Sequence, residues 1–193
     1  MSEPELVLRS ALGGAKSGGF GAHGDGKRGL ILTALPERCV IQVLGAPGRG
    51  DLTSRLGELA RDVSHAVRIA GPSQWLLVGE AAVSGAALAG LQDQLDGRAS
   101  LVDQSHGRVG IEIAGAAVED VLCKGVGLPL DLAAFPVGKS ASTLFGHVSV
   151  HLTRTADQSF EILVGRGFSV SVWEDLIHMA LEFGVEAVAL PAR

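Results

Sequence analysis

The chain contains no tyrosine, and its aromatic inventory is six phenylalanines and two tryptophans. Few side chains are therefore available to stack on a flavin or a nucleobase, a mode of binding that relies on aromatic platforms. Cysteine is also scarce: Cys39 and Cys123 sit inside apolar segments, and neither belongs to a Cys-x-x-Cys pair. That argues against a disulfide framework or a zinc knuckle and predicts two free, buried thiols. The 16 lysines and arginines are scattered and outnumbered by 21 aspartates and glutamates, for a formal net charge of −5. A nucleic-acid surface needs concentrated positive charge, so that class of function is set aside. No apolar run reaches the length of a membrane span, and the acidic opening MSEPELVLRS has neither the basic nor the apolar region of a secretory leader. A cytoplasmic protein is predicted.

What is present is a well-supplied core. Of the 193 residues, 47% are apolar, which excludes a disordered acidic chain. At this length roughly 70% of the unfolded surface can be buried. Residues 1–29 form an arm: Ser10 to Gly29 is crowded with glycine and almost without large apolar side chains, which predicts a flexible, loop-like segment. From Leu30 strands and helices alternate, and two stretches can be laid over one another, residues 30–99 and 100–193, both within one compact domain. RCVIQVLGA from Arg38 aligns with RVGIEIAGA from Arg108, so that Cys39, Ile41 and Val43 fall over Val109, Ile111 and Ile113, and Gln42 over Glu112. LLVGE (Leu76 to Glu80) likewise pairs with ILVGR (Ile162 to Arg166). Each copy is read as β-α-β-α. Two fused ferredoxin-like halves follow, an α+β fold of mostly antiparallel sheet with helices on one side.

The helix faces are legible. Leu52, Leu56, Leu59 and Val63 share one face of a helix capped by Asp51, and Leu88, Leu91 and Leu95 mark the next. In the last helix Ser171 and Glu174 have capping-box spacing ahead of Trp173, Leu176, Ile177 and Ala180, and Gly184 is placed to end it. Val148, Val150 and Leu152 alternate with Ser149, His151 and Thr153, which predicts a strand with one wet face, returned by a hairpin at Thr155 to Ser159.

Several patterns spell chemistry without its context. Gly19-Phe20-Gly21-Ala22-His23-Gly24 matches the dinucleotide fingerprint letter by letter, but Asp25 to Gly29 cannot start the helix whose dipole the pyrophosphate needs. Arg49-Gly50-Asp51 spells an adhesion tripeptide where a helix cap is required, and the cap explains it. Asp103, Ser105 and His106 hold the residue types of a hydrolase triad, but neighbours entering a strand point to opposite faces, so turn-forming hydrogen bonds are expected instead. His147 and His151 have the spacing of a helical zinc pair but read as strand residues on a wet face, about 13 Å apart, too far to share a metal. Trp75 and Trp173 are expected as core or interface anchors.

The order of parts from Leu101 to Ser140 resembles the folate-binding aminomethyltransferase superfamily: an Asp-x-Ser-His turn, a strand, Gly115 opening a short helix, then Leu130-Asp131-Leu132 and Phe135-Pro136 with Gly138. With Gly71-Pro72-Ser73-Gln74-Trp75, Val121 to Gly125, Thr143-Leu144 and Trp173, it is most similar to the gamma-subunit family of heterotetrameric sarcosine oxidases, over about Leu30 to Gly184. The resemblance implies an aminomethyltransferase-like domain inside a complex that oxidises sarcosine to glycine with oxygen, yielding hydrogen peroxide and, with tetrahydrofolate, 5,10-methylenetetrahydrofolate. It implies alpha, beta and delta subunits as partners, carrying FAD, FMN, NAD, tetrahydrofolate and zinc, and no catalytic, cofactor or metal residue on this chain. Trp75, Asp103, Ser105, His106, Arg108, Lys124, Asp131, Phe135, Pro136 and Trp173 are the motif residues it marks as turn and interface positions. Where the superfamily's transferases carry a catalytic aspartate, the corresponding segment here, Leu144 to Val150, has no carboxylate, and Cys123 precedes Lys124-Gly125 where iron–sulfur-linked relatives have cysteine following. The alternatives are a stand-alone folate-dependent aminomethyl or one-carbon transferase and a gamma-like subunit of another N-methyl amine oxidase.

Overall fold

The computed structural model describes residues 10–21 and 29–191. Within them the chain runs through β1 (Gly18–Phe20), β2 (Leu30–Ala34), β3 (Cys39–Gly45), α1 (Thr53–Asp62), β4 (Ala66–Gly71), β5 (Gln74–Gly79), α2 (Gly85–Gln94) and β6 (Ala99–Asp103). It continues through β7 (Arg108–Ala114), α3 (Val118–Leu122), β8 (Ser140–Phe145), β9 (Val148–Ala156), β10 (Ser159–Gly165), α4 (Ser169–Ala180) and β11 (Val185–Val188). The strands form two sheets, ordered β4-β5-β3-β6 and β1-β11-β2-β7-β10-β9-β8. Neighbours are antiparallel except β11 and β2, so the α+β architecture stands.

Each sheet is covered by helices on one face. Leu56 and Leu59 of α1 and Leu91 of α2 pack with Ile41, Val43, Trp75 and Leu77 in the smaller core. Val121 and Leu122 of α3 and Val172, Trp173 and Leu176 of α4 pack with Ile111, Ile113, Leu152 and Ile162 in the larger one. Full burial of each such aliphatic side chain contributes about 1.5–3 kcal/mol, so these faces dominate the stabilisation. Asp51 accepts from the Thr53 amide at 3.0 Å and its hydroxyl at 2.7 Å, one position before the N-cap Leu52, and Ser84 accepts from the Ala87 amide at 3.2 Å to start α2.

The duplication has six elements per copy rather than four. In the first, β3-α1-β4-β5-α2-β6 builds the small sheet; β4 and β6 are the strands the sequence reading passed over, β4 because Arg68 interrupts its apolar pattern. In the second, β7, α3, β9, β10, α4 and β11 repeat the plan, with β2 inserted between β11 and β7 and β8 added at the edge. The boundary at residues 99 and 100 is corrected accordingly: β6 completes the first sheet while β2 belongs to the second, since strand pairing rather than chain order assigns a strand to its sheet.

Other expectations are corrected by packing. Ser10 to Gly21 is not a loose arm: Leu12 is fully buried in the larger core, β1 pairs with β11, and Trp173 Nε1 donates to the Lys16 carbonyl at 2.9 Å. The rest of the 1–29 arm, residues 1–9 and 22–28, lies outside the described residues, and with it the end of the dinucleotide-like string. Ser171 and Glu174 do not cap α4, which begins earlier at Ser169, whose hydroxyl donates to the Arg166 carbonyl; Glu174 pairs instead with Lys16 at 2.8 Å. Cys39 is buried, but Cys123 is exposed just beyond the short α3. His147 lies in the turn between β8 and β9, and His151 and Thr153 are buried, because the side of β9 read as wet meets the other sheet.

Candidate functional site: the seam between the sheets and the motif loops

The two sheets meet on the faces their helices leave bare. Val40, Leu76, Val78 and Leu163 form a small apolar cluster there. Cross-strand register sets Glu161 opposite Thr153 and Leu163 opposite His151, so all four side chains share that face. Across the seam Arg68 Nη2 donates to Glu161 Oε2 at 2.9 Å, and Arg38 Nε lies 3.7 Å from Glu161 Oε1. The Arg68 and Glu161 side chains are 9% and 4% exposed, so the low dielectric strengthens their attraction and makes either partner alone costly. His151 Nε2 lies 3.1 Å from the Ile69 carbonyl, which makes it the protonated nitrogen of a neutral ring. Burial is the main reason its pKa falls to about 4. Arg38 Nε, Arg68 Nη1, His151 Nδ1, Thr153 Oγ1 and Glu161 Oε1 lie buried without a hydrogen-bond partner among the described residues. Glu161 is committed to guanidinium groups and His151 to a backbone carbonyl. The arrangement works as a polar rivet between the sheets.

The motif residues do not converge on one place. Asp103 Oδ1 accepts from the Ser105 amide at 2.8 Å and from the Ser105 hydroxyl at 2.5 Å, and these two bonds hold its carboxyl below the usual range. Ser105 Oγ in turn accepts from the Val40 amide at 3.0 Å, tying the turn to β3. The Ser105 hydroxyl donates to Asp103 and not to the exposed His106, so the three form a turn and not a triad. Arg108 follows at the start of β7, half-buried. Lys124 reaches the end of α4, donating to the Met179 carbonyl at 2.6 Å, pairing with Glu182 and lying 5.0 Å from the centre of the Phe183 ring.

Asp131 Oδ1 accepts from the Ala133 and Ala134 amides and shapes the loop that delivers Phe135 into the larger core, 6.1 Å from Phe160 between ring centres. Pro136, exposed, accepts from the Lys139 amide at 3.0 Å to close that loop. Trp75 is buried in the other sheet, its Nε1 donating to Thr53 Oγ1 at 2.9 Å; a shallow depression of about 310 Å³ opens beside it, lined also by Asp51, Ile69 and Ser73. Trp173 is the corresponding anchor of the larger core.

Sequence reasoning passed over the residue that organises the Leu130–Lys139 loop. Arg154 is fully buried, donates to the Leu130 and Asp157 carbonyls and to Glu119 Oε1 at 2.6 Å, and lies over the Phe160 ring at 4.4 Å. The available signal was a charge at an inward position of a strand: Arg154 falls on the face of β9 that Val148, Val150 and Leu152 make apolar, and Arg68 interrupts the apolar pattern of β4.

Residues 51–193 match the family described as GCVT N-terminal domain. Sarcosine oxidase subunit gamma of Corynebacterium sp. (strain U-96) is 32% identical over 162 residues, covering 83% of this chain and 78% of the relative. The chain belongs to the sarcosine oxidase gamma-subunit family. A second gamma subunit, from Arthrobacter sp., is 32% identical over 159 residues, 81% of this chain and 77% of that one. Among solved structures, a chain of the heterotetrameric sarcosine oxidase from Corynebacterium sp. U-96, in complex with pyrrole 2-carboxylate, superposes with a TM-score of 0.67 at 24% identity, covering 84% of this chain and 88% of that chain. The glycine cleavage system aminomethyltransferase T from Bartonella henselae superposes at 0.55 and 19% identity, covering 93% of this chain and 57% of that one. Both structures share the fold, as the resemblance of the Leu101 to Ser140 block implied.

Proposed function

We propose that this chain is the gamma subunit of a heterotetrameric sarcosine oxidase and contributes structure and assembly rather than chemistry. The observation that carries the reading is the 32% identity to a curated gamma subunit across 83% of the chain. Supporting the non-catalytic role are the dispersal of the motif residues, the commitment of Asp103 and Ser105 to a turn, and the absence of any carboxylate between Leu144 and Val150. The complex would oxidise sarcosine to glycine and hydrogen peroxide and, with tetrahydrofolate, form 5,10-methylenetetrahydrofolate. FAD, FMN, NAD, tetrahydrofolate and zinc would belong to the alpha, beta and delta subunits, and the free thiols Cys39 and Cys123 suit a reducing, cytoplasmic setting.

Co-expression with alpha, beta and delta subunits of a heterotetrameric sarcosine oxidase tests this. The chain is expected to co-purify with a flavin-absorbing complex that turns over sarcosine; a chain that always runs apart from flavin refutes the assignment. A second reading, a stand-alone folate-dependent transferase, is favoured by the fold shared with the Bartonella aminomethyltransferase. Saturable tetrahydrofolate binding by the isolated chain would support it. A co-purified complex oxidising another N-methyl amine but not sarcosine would point to the related oxidase instead.

A further inference from the structure

The sheet edges of this protein are not equally protected. Edges β4 and β8 lie beside one another, with the Ile69 carbonyl of β4 taken by His151 and Ser140, while β1 is three residues long. Among the described residues strand β6 is the open edge of the small sheet, and it is five residues long. Its sequence, Ala-Ser-Leu-Val-Asp, has no lysine, proline or bulge, the usual guards of an edge. Its inward partners are fixed by the ladder: Gln104 donates to the Val40 carbonyl and Ala46 to the Arg98 carbonyl, both at 2.8 Å, with Gln42 opposite Val102 and Leu44 opposite Ser100 between them. Backbone polar groups alternate sides along a strand, so those of Ala99, Leu101 and Asp103 point away from the sheet.

Two of these outward groups are already engaged by one side chain. Gln92, on α2, donates from Nε2 to the Ala99 carbonyl at 2.7 Å and accepts at Oε1 from the Leu101 amide at 2.9 Å. Those are the two bonds that one residue of a parallel neighbouring strand would make opposite Ser100. We propose that the Gln92 amide stands in for a missing strand, and that without it the β6 edge takes up β6 of a second copy of this chain. The occupant follows from the strand itself. Antiparallel pairing centred on Leu101 sets Ala99 opposite Asp103 and Ser100 opposite Val102, brings no like charges together, and lets the outward groups of the two copies satisfy one another. It would also cover Val102, which is 40% exposed.

The test uses the full chain. Sedimentation across a wide concentration range should show a single mass for the wild type and a concentration-dependent doubling for Gln92→Ala. Loss of one net hydrogen bond should speed hydrogen exchange at the Leu101 amide about tenfold in dilute Gln92→Ala, with protection regained as the doubled species forms. Adding Val102→Lys should return Gln92→Ala to the wild-type mass, because a lysine on each copy guards the joint edge. Gln92→Ser carries the same test if Gln92→Ala does not yield folded protein. An unchanged mass at every concentration overturns the proposal, as does an unchanged Leu101 exchange rate. A doubled mass that survives Val102→Lys also overturns it, since the copies would then meet elsewhere.

Discussion

Replacing Glu161 by glutamine keeps the side-chain volume and deletes one charge from the seam between the sheets. Glu161 and Arg68 are 4% and 9% exposed at the side chain, so the guanidinium left behind cannot be fully rehydrated without opening the seam. Removing one member of a buried pair costs about 3–5 kcal/mol. Glutamine can still accept from Arg68 Nη2, and Arg38, 23% exposed, can turn to water, which puts the expected loss near the low end, about 3 kcal/mol. For a chain of this size that lowers the melting temperature by about 6–12 °C. The two tryptophans make the assay local, since Trp75 reports on the smaller core and Trp173 on the larger. Urea titrations followed by fluorescence in Trp75→Phe and Trp173→Phe backgrounds, each compared with its own Glu161 parent, should show Glu161→Gln shifting the Trp75 report more than the Trp173 report. Replacing both partners with methionine removes the stranded charge and should recover all but about 1 kcal/mol. A loss under 1 kcal/mol for Glu161→Gln, or a double variant no more stable than the single, would show that the pair does not join the sheets.

Other expectations follow from the same contacts. His151 is held neutral by burial, with a pKa near 4 against 6.5 for the free side chain, so the unfolded chain binds the extra proton first as pH drops. Stability should therefore fall between pH 6.5 and 4 by an amount on the order of 3 kcal/mol, and His151→Asn should flatten that slope in acid-dependent urea titrations. Arg154→Ala strands the Leu130 carbonyl and breaks the link to Glu119, which, being 39% exposed, can rehydrate; about 3 kcal/mol of stability should be lost, read by thermal melting, together with early proteolysis in the Leu130–Lys139 loop. Ser105→Ala leaves the Val40 amide unpaired and should cost about 1–2 kcal/mol in urea, whereas His106→Ala should stay within about 0.5 kcal/mol. Equal effects at the two positions would revive a coupled triad. Trp173→Phe should loosen the N-terminal segment, seen as faster exchange at the amides around Leu12 and β1.

Much of this was readable from local pattern. Period-two alternation marked β3 and β7 in matching register, helical spacing marked the buried faces of α1 and α4, and Asp103, Ser105 and Asp131 make the turns their residue types favour. The motif order pointed to the family, because loop chemistry is set by near neighbours in the chain. The arm was misread for a related reason: glycine content predicted looseness, and the pairing of β1 with β11 across most of the chain length overrode it.

The seam was invisible. His151, Thr153 and Glu161 fit the alternation of strands with a solvated side, and period two cannot say whether the polar side meets water or a second sheet. That depends on where β4 arrives with Arg68, a contact 93 residues away in sequence. By itself the sequence determined the strand register, the helix faces, the turns and the family, since each is encoded within a few residues or a motif. Tertiary structure alone decided which sheet owns β2 and β6, why Arg154 and Glu161 can be buried, and that Gln92 lies on a strand edge, because charge burial and edge protection depend on partners brought together only by folding.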